Sequence, residues 1–216
     1  MKKVNCIIMF LLPILFLGCG NEKKVEPLSL KSTKKAEPKP QKEVAVISTQ
    51  FGDMVVEFYE RAAPKHVESF KLHAESGYYD GTIFHRVIPG FMIQGGDLNT
   101  KGKNKSIYGQ GGHAAKFYGI GKEDDPSSWD IPAEFNDIKH TIGVLSMART
   151  NNPNSAGSQF FICAGDASHL DAQYTVFGKV IEGLDVIDKI VSMARDERDN
   201  PINRVEMKVV LDSREL

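Results

Sequence analysis

The feature of this sequence that most limits its fold is the stretch 84–97, FHRVIPGFMIQGGD, in which two apolar runs flank a Pro-Gly pair. Such a pair between apolar runs predicts a strand, a tight turn and a second strand. Successive side chains of a strand point to opposite faces. The alternation therefore predicts that Phe84 and Arg86 share one face, and that Met92 and Gln94 share a face after the turn. An arginine in this position either covers apolar neighbours with its stem or supplies a functional cation.

Other segments repeat the pattern of short strands, and two segments have helical spacing instead. Strands are predicted in a hairpin at 44–59 and at 140–148, 158–163, 174–180 and 205–211, and helices at 63–77 and 181–194. On the first helix, His66 and His73 are interpreted as residues of the polar face rather than as ligands. Many short strands with two helices in separate parts of the chain favour an antiparallel barrel or sandwich capped by helices.

Two of the remaining segments bear on a functional site. In the strand at 158–163, the period of two places Gln159, Phe161 and Cys163 on one face. The segment 98–130 is long, polar and rich in glycine, which predicts a loop that is either functional or mobile. Its glycine clusters do not match a phosphate-binding loop, because no strand precedes them and no GK[ST] follows.

Charge is unevenly distributed along the 216 residues, whose net charge is -1. Residues 1–19 carry +2 and residues 20–42 carry +4, which leaves about -7 for residues 43–216. Nucleic-acid binding needs a basic face, so no nucleic-acid partner is expected for this acidic part. Residues 20–42 are rich in Lys, Glu and Pro and poor in apolar residues, and we interpret them as a disordered tether.

The first 19 residues have the features of a signal peptide. A basic start precedes an apolar run, Val4 to Leu17, that is short for a membrane span. The sequence LFLGC, ending at Cys19, resembles the lipobox of bacterial lipoproteins, in which lipid is attached to the cysteine after cleavage. Phe16 departs from the aliphatic residue that is usual there, and an ordinary signal peptide or an uncleaved anchor is the alternative. The lipobox implies an extracytoplasmic protein, anchored through Cys19 to a bacterial membrane on its periplasmic or cell-surface side.

Metal and hydrolase chemistry are both disfavoured. The three cysteines and six histidines are scattered and form no metal-binding spacing, so no metal site is expected. Ser146 and Ser158 lack the GxSxG elbow of serine hydrolases. Glu134 and Asp171 do not form an evident carboxylate pair.

Five segments follow one another along the chain, namely FHRVIPGFMIQGGD at 84–97, GVLSMA at 143–148, GSQFFI at 157–162, Leu170-Asp171 and Phe177-Gly178. In this order the chain resembles the cyclophilin-type peptidyl-prolyl cis–trans isomerases, and the resemblance spans residues 43–212. It implies a mostly β fold, an eight-stranded antiparallel β-barrel capped by two α-helices. The domain organisation is then a lipoprotein-type signal peptide at 1–19, a tether at 20–42 and an isomerase domain at 43–216. No cofactor is implied, and a monomer is expected by default.

The resemblance also assigns roles to individual residues. Arg86 becomes the catalytic cation, supported by Gln94 and Phe91. The remaining substrate-binding positions are Met92, Ala148, Arg149, Gln159, Phe161, His169, Leu170 and Tyr174. Among these, the backbone of Ala148 and Arg149 supplies the edge along which the peptide lies.

Four departures from the family pattern accompany these assignments. Arg149 stands where asparagine is usual, His169 where the best-known members have tryptophan, and Tyr174 where histidine is usual. The segment 98–130 is also longer than in compact members. The departure at His169 bears on cyclosporin binding more than on catalysis.

The expected function is isomerisation of X–Pro bonds in polypeptide substrates, which assists protein folding outside the cytoplasm. In this hypothesis, Arg86 stabilises the twisted prolyl amide in an apolar pocket. The alternative is a chaperone or scaffold module that binds proline-containing segments with little turnover. The complete set of Arg86, Phe91, Gln94 and Phe161 favours the enzyme.

Overall fold

Eight strands form one antiparallel sheet in the computed structural model, which describes residues 41–215. The strands are β1 (Gln41–Thr49), β2 (Gly52–Phe58), β3 (Arg86–Ile88), β4 (Met92–Gly95), β5 (Val144–Met147), β6 (Phe160–Cys163), β7 (Val176–Glu182) and β8 (Lys208–Glu215). The two helices are α1 (Pro64–Glu75) and α2 (Leu184–Val191). The predictions for the signal peptide, for Cys19 and for residues 20–40 of the tether concern residues outside the described part of the chain. Strand β1 begins two residues before the expected start of the domain.

The order of strands across the sheet is β3-β4-β6-β5-β7-β2-β1-β8. Strands β3 and β8 are therefore the two edge strands of the sheet, and they do not pair with each other among the described residues. The segments that precede them meet instead, since Phe84 N–H donates to Val205 O at 3.0 Å and Met207 N–H donates to Thr82 O at 2.9 Å. The eight antiparallel strands and two helices confirm the predicted fold class.

The sheet encloses a large apolar core on one side and a smaller apolar cluster beside it. Phe70 of α1 lies at the centre of the large core, with ring centroids at 5.0 Å from Tyr79, 5.4 Å from Phe160 and 5.5 Å from Phe177. The smaller cluster contains Met92, Val144, Phe161, Cys163, Ala167 and Val176. Adjacent residues of β6 thus face different clusters, as the period of two predicts.

The predicted alternation is wrong at Phe84. Strand β3 begins only at Arg86, and Phe84 lies in the preceding segment, which bonds to Val205. Phe84 is fully buried in the large core together with Val87, whereas Arg86 is exposed. Because the period of two holds only within one continuous strand, it does not extend across this change of partner.

Both helices begin at residues suited to helix starts. Pro64 occupies the first turn of α1, where its missing N–H costs nothing. Gly183, with a φ of 83°, precedes α2, and a Cβ there would overlap the backbone oxygen of Asp53. Within residues 41–215, no helix combines the length and apolar character needed to cross a bilayer.

The placement of His66 and His73 on a polar face is wrong, because both side chains are buried. His66 Nδ1 lies 2.7 Å from Glu134 Oε2, and His73 Nε2 lies 2.8 Å from the backbone oxygen of His113. These partners belong to the long connection between β4 and β5, which covers the side of α1 that the sequence pattern assigns to solvent. The helix is therefore enclosed on more than one face.

The connection between β4 and β5 is held by its own polar contacts. It contains three one-turn 3₁₀ helices, Leu98–Lys101, Lys105–Ile107 and Pro126–Ser128. Buried Asp97 accepts hydrogen bonds from Asn99 N–H at 2.8 Å and Gly109 N–H at 2.6 Å. At the far end, Trp129 Nε1–H donates to Lys122 O at 2.8 Å. The connection is thus a packed loop with capped turns.

Two buried histidines make stability depend on pH. Burial lowers the pKa of His73 and of His85 from 6.5 to about 4, and His85 Nδ1 has no hydrogen-bond partner among the described residues. Between these values the unfolded chain binds more protons than the folded chain, so stability falls as the pH falls from about 6.5 to about 4. We expect a loss of about 2–3 kcal/mol per histidine, measured by urea denaturation at pH 7.0 and pH 4.5. His85→Gln should show a smaller loss, and an unchanged pH dependence in that variant would contradict the assignment.

Candidate active site

A small cavity of about 130 Å³ lies beside the smaller apolar cluster. It is lined by Arg86, Phe91, Met92, Gln94, Ala148, Arg149, Phe161, Leu170 and Tyr174. Nine of the eleven residues assigned by the resemblance to catalysis and substrate binding thus surround one cavity. Gln159 and His169 do not line it. Gln159 lines a neighbouring cavity of about 430 Å³, and the His169 ring lies 5.4 Å from the Phe91 ring.

A larger surface depression of about 690 Å³ lies elsewhere, between residues 41–43 and 57–62. Two cations line it, namely Lys42, which is paired with Glu57 at 2.7 Å, and the exposed Arg61. We place the candidate site in the smaller cavity, because there Arg86, with its loose ion pair, lies beside the buried side chains of Met92 and Phe161.

Strand register places the key side chains of the small cavity in one row. Arg86 of β3 pairs with Gln94 of β4, Gln94 pairs with Phe161 of β6, and Phe161 pairs with Ser146 of β5. Directly paired residues of adjacent strands lie on the same face of the sheet. The row therefore brings a cation, an amide and an aromatic ring together from residues up to 75 positions apart.

The guanidinium of Arg86 is only loosely held. Its Nε lies 3.9 Å from Asp199 Oδ2, and the side chain is 44% exposed. A separation of this size is beyond a hydrogen bond. The N–H groups of Arg86 are therefore available to an acceptor that enters the cavity.

A chain of amides fixes Gln94. Gln94 Nε2–H donates to Gln159 Oε1 at 3.0 Å, and Gln159 Nε2–H donates to Gly111 O at 2.7 Å. The long connection between β4 and β5 thus sets the orientation of Gln94. With its amide nitrogen engaged, Gln94 Oε1 remains as an acceptor at the cavity.

The floor of the cavity is apolar and closely packed. Met92 and Phe161 are buried, and the Tyr174 ring meets Phe161 edge-on with centroids 5.9 Å apart. Phe91 and Leu170 are half-buried at the rim. Such a surface suits a small apolar ring rather than a charged group.

Beneath the floor lies a hydrogen-bonded cluster of three polar side chains, His140, Asp171 and Ser146, which the sequence did not predict. The His140 ring stacks on Phe161 at 6.1 Å, its Nδ1 lies 3.1 Å from Asp171 Oδ1, and its Nε2 lies 3.0 Å from Ser146 Oγ. The backbone N–H of His140 lowers the pKa of Asp171 to about 2, and burial lowers the pKa of His140. Ser146 is fully buried and its hydroxyl donates to Thr175 O at 3.0 Å, so no substrate reaches it. The three residues therefore support the floor of the cavity from behind.

No group of three His, Cys, Asp or Glu side chains in residues 41–215 has an arrangement that would hold a metal ion. Cys163 is buried at the back of the smaller cluster, where burial raises the pKa of its thiol to about 12. That thiol is therefore a packing group rather than a nucleophile. The chemistry available at the cavity is hydrogen-bond donation from a cation next to an apolar surface.

One family model and several relatives of known class match this chain. The family model described as cyclophilin type peptidyl-prolyl cis-trans isomerase/CLD matches residues 44–210. A probable peptidyl-prolyl cis-trans isomerase of Brucella abortus is 40% identical over 163 residues, which are 76% of this chain and 79% of the relative. Peptidyl-prolyl cis-trans isomerase-like 3 of Homo sapiens is 41% identical over 165 residues, which are 75% of this chain and 91% of the relative.

A solved structure agrees with the sequence comparison. The crystal structure of a cyclophilin type peptidyl-prolyl cis-trans isomerase of Cryptosporidium parvum, in the presence of the dipeptide Ala-Pro, aligns with a TM-score of 0.67. The two chains are 32% identical, and the alignment covers 79% of this chain and 99% of the other. Fold, cavity and sequence together place this chain in the family of cyclophilin-type peptidyl-prolyl cis–trans isomerases, and it is an enzyme of that class.

Proposed function

We propose that Arg86 catalyses X–Pro isomerisation by donating a hydrogen bond to the twisted prolyl amide, and that the enzyme acts on polypeptides outside the cytoplasm from a lipid anchor on Cys19. The observation that carries the catalytic part is the loosely paired guanidinium at the edge of the apolar cavity. The anchor rests on the sequence LFLGC alone.

The chemistry requires no covalent intermediate. Rotation about a peptide bond has a barrier of roughly 18–20 kcal/mol because twisting breaks the amide resonance. The cis and trans forms of an X–Pro bond differ by only about 0.5–1 kcal/mol, so no driving force is needed. The enzyme accelerates the reaction if it binds the twisted amide better than either planar form.

Each part of the cavity has a role in this step. The floor of Met92 and Phe161 takes the proline ring out of water. The twisted proline nitrogen regains its lone pair, and the guanidinium of Arg86, which stays protonated, donates to it. Gln94 and the backbone at 148–149 hold the neighbouring peptide group. The apolar surroundings lower the local dielectric and strengthen the new hydrogen bond.

The direct test of the proposed activity is a protease-coupled isomerisation assay with the full chain and a short X–Pro peptide. We expect the slow cis-to-trans phase to accelerate in proportion to enzyme concentration. Binding of the peptide without any acceleration would contradict catalysis and favour the chaperone or scaffold module instead.

The lipid anchor is tested by metabolic labelling with palmitate in a bacterial host. We expect the full chain to take up label and to fractionate with membranes, and Cys19→Ser to lose both properties. Cys6→Ser is the matched control, because Cys6 lies in the segment that cleavage before Cys19 removes. Label that persists in Cys19→Ser would contradict attachment at this residue.

A further inference from the structure

Arg149 lies at the boundary between two cavities of the substrate cleft. It lines the proline cavity of about 130 Å³ and also the neighbouring cavity of about 430 Å³. It follows Ala148, whose N–H donates to Gln159 O at 2.9 Å. For a peptide that lies along residues 148–149 with its proline in the smaller cavity, this side chain is adjacent to the residue before proline.

The guanidinium of Arg149 is fixed before any ligand arrives. Its Nε–H and Nη2–H donate to Gln173 O at 3.2 Å and 2.8 Å, and its Nη1–H donates to Thr150 O at 2.7 Å. Its Cζ lies 4.4 Å from the ring centroid of Tyr174 and 5.8 Å from that of Phe135. Two backbone oxygens and two aromatic faces thus immobilise a flexible side chain, which lowers the entropy that a ligand contact would otherwise cost.

This immobilised charge is not neutralised within the described part of the chain. Arg149 forms no ion pair with a carboxylate of residues 41–215, and no carboxylate among them lines the proline cavity. The backbone oxygens that hold it carry no net charge. Three of its five N–H groups are used, so two remain for an acceptor. Among the side chains of an unmodified peptide, a carboxylate is the acceptor that a guanidinium binds most strongly.

We propose that Arg149 makes the enzyme selective for X–Pro bonds in which the residue before proline is acidic. The proposal rests on the proposed function, because it requires that the peptide lie along residues 148–149 with its proline in the cavity. The substrate class is then Asp-Pro and Glu-Pro in otherwise ordinary polypeptides.

A second charged side chain, that of Asp130, could also select the residues that flank a bound proline. It is the one carboxylate of residues 41–215 that lines the larger cavity. Burial raises the pKa of Asp130, and it forms no ion pair with Arg149 in the described residues. A basic residue before proline is therefore the alternative preference, and the peptide series must include it.

The test is a series of four peptides, Ala-Xaa-Pro-Phe with Xaa as Glu, Gln, Ala or Lys, assayed above pH 6 with the full chain. Glu and Gln have the same shape, so the ratio of their kcat/KM values isolates the charge. We expect a ratio of about two- to fivefold in favour of Glu at low salt, the range of one partly exposed ion pair, and a smaller ratio at high salt. Lys should be the poorest of the four.

Three variants separate selectivity from general effects. Arg149→Gln should bring the Glu/Gln ratio to about one, and the ratio is internal to each variant, so a general loss of activity cancels. Arg149→Lys should retain part of the preference, because it keeps the positive charge but loses the planar guanidinium with its paired N–H donors. Arg61→Gln removes the same charge from an exposed loop outside the site and should keep the wild-type ratio.

The outcomes distinguish this inference from the function on which it rests. If the wild type accelerates all four peptides with a Glu/Gln ratio near one, the selectivity is wrong and the isomerase stands. A higher value for Lys than for Glu also overturns it and points to Asp130. If no peptide is accelerated, the proposed function fails and the selectivity fails with it.

Discussion

Arg86→Ala is expected to lower kcat/KM for an X–Pro peptide by about 10²–10³-fold, the usual effect of removing one hydrogen-bond donor that acts on the transition state. The loss should fall mainly on kcat, because the apolar floor that binds the proline ring is unchanged. The fold should persist, since the Arg86 side chain is 44% exposed and lies outside both apolar clusters. A protease-coupled assay measures the rate, and a thermal melt checks the fold.

Arg86→Lys is the matched control for this prediction. It keeps the positive charge and loses the planar fork of donors, so we expect activity between that of the wild type and that of Arg86→Ala. Wild-type turnover in Arg86→Ala would remove Arg86 from the mechanism.

Phe70→Ala is expected to lower the free energy of unfolding by about 3–5 kcal/mol, the usual cost of truncating a buried phenylalanine. The ring is fully buried and lies within 6 Å of four other aromatic centroids, those of Phe58, Tyr79, Phe160 and Phe177. Its removal leaves a cavity where α1 packs against the sheet. Urea denaturation measures the change.

The control for Phe70→Ala is Ile202→Ala. Ile202 is a large apolar residue that is 61% exposed, so its truncation should change the free energy of unfolding by less than about 0.5 kcal/mol. Equal effects of the two substitutions would contradict the position of Phe70 at the centre of the core.

The sequence predicted those parts of the fold in which a local pattern and the final environment agree. In β6 the alternation correctly separated Phe161 and Cys163 from Phe160 and Ile162, because the strand has a different apolar cluster on each face. Met92 and Gln94 also share the predicted face, since both lie within β4 and both line the proline cavity.

The sequence failed where distant segments decide the environment. His66 and His73 are buried because the connection between β4 and β5 covers α1, and the period of a helix carries no information about such a loop. Helix α2 begins at Leu184 rather than at 181, because β7 continues through Glu182 and Gly183 ends it. His140 contacts Asp171, which is 31 positions away, and Ser146, which is 6 positions away, and no local sequence motif indicates these contacts.

The candidate site was predictable in composition and not in geometry. The resemblance to the family named all nine residues that line the cavity. Only the strand register, however, shows that Arg86, Gln94 and Phe161 lie in one row. The immobilisation of Arg149 by Gln173, Tyr174 and Phe135 is likewise a tertiary property.

The role of Arg86 in catalysis is measured by exchange NMR spectroscopy on a proline peptide that is not cleaved, with catalytic amounts of the wild type or of Arg86→Ala. Uncatalysed exchange takes tens to hundreds of seconds, so cis–trans cross-peaks at subsecond mixing times report catalysis alone. We expect cross-peaks with the wild type and none with Arg86→Ala. Binding to the variant is checked separately, through the amide chemical shifts of the isotope-labelled protein as peptide is added. Cross-peaks of equal intensity with both proteins would contradict the role of Arg86.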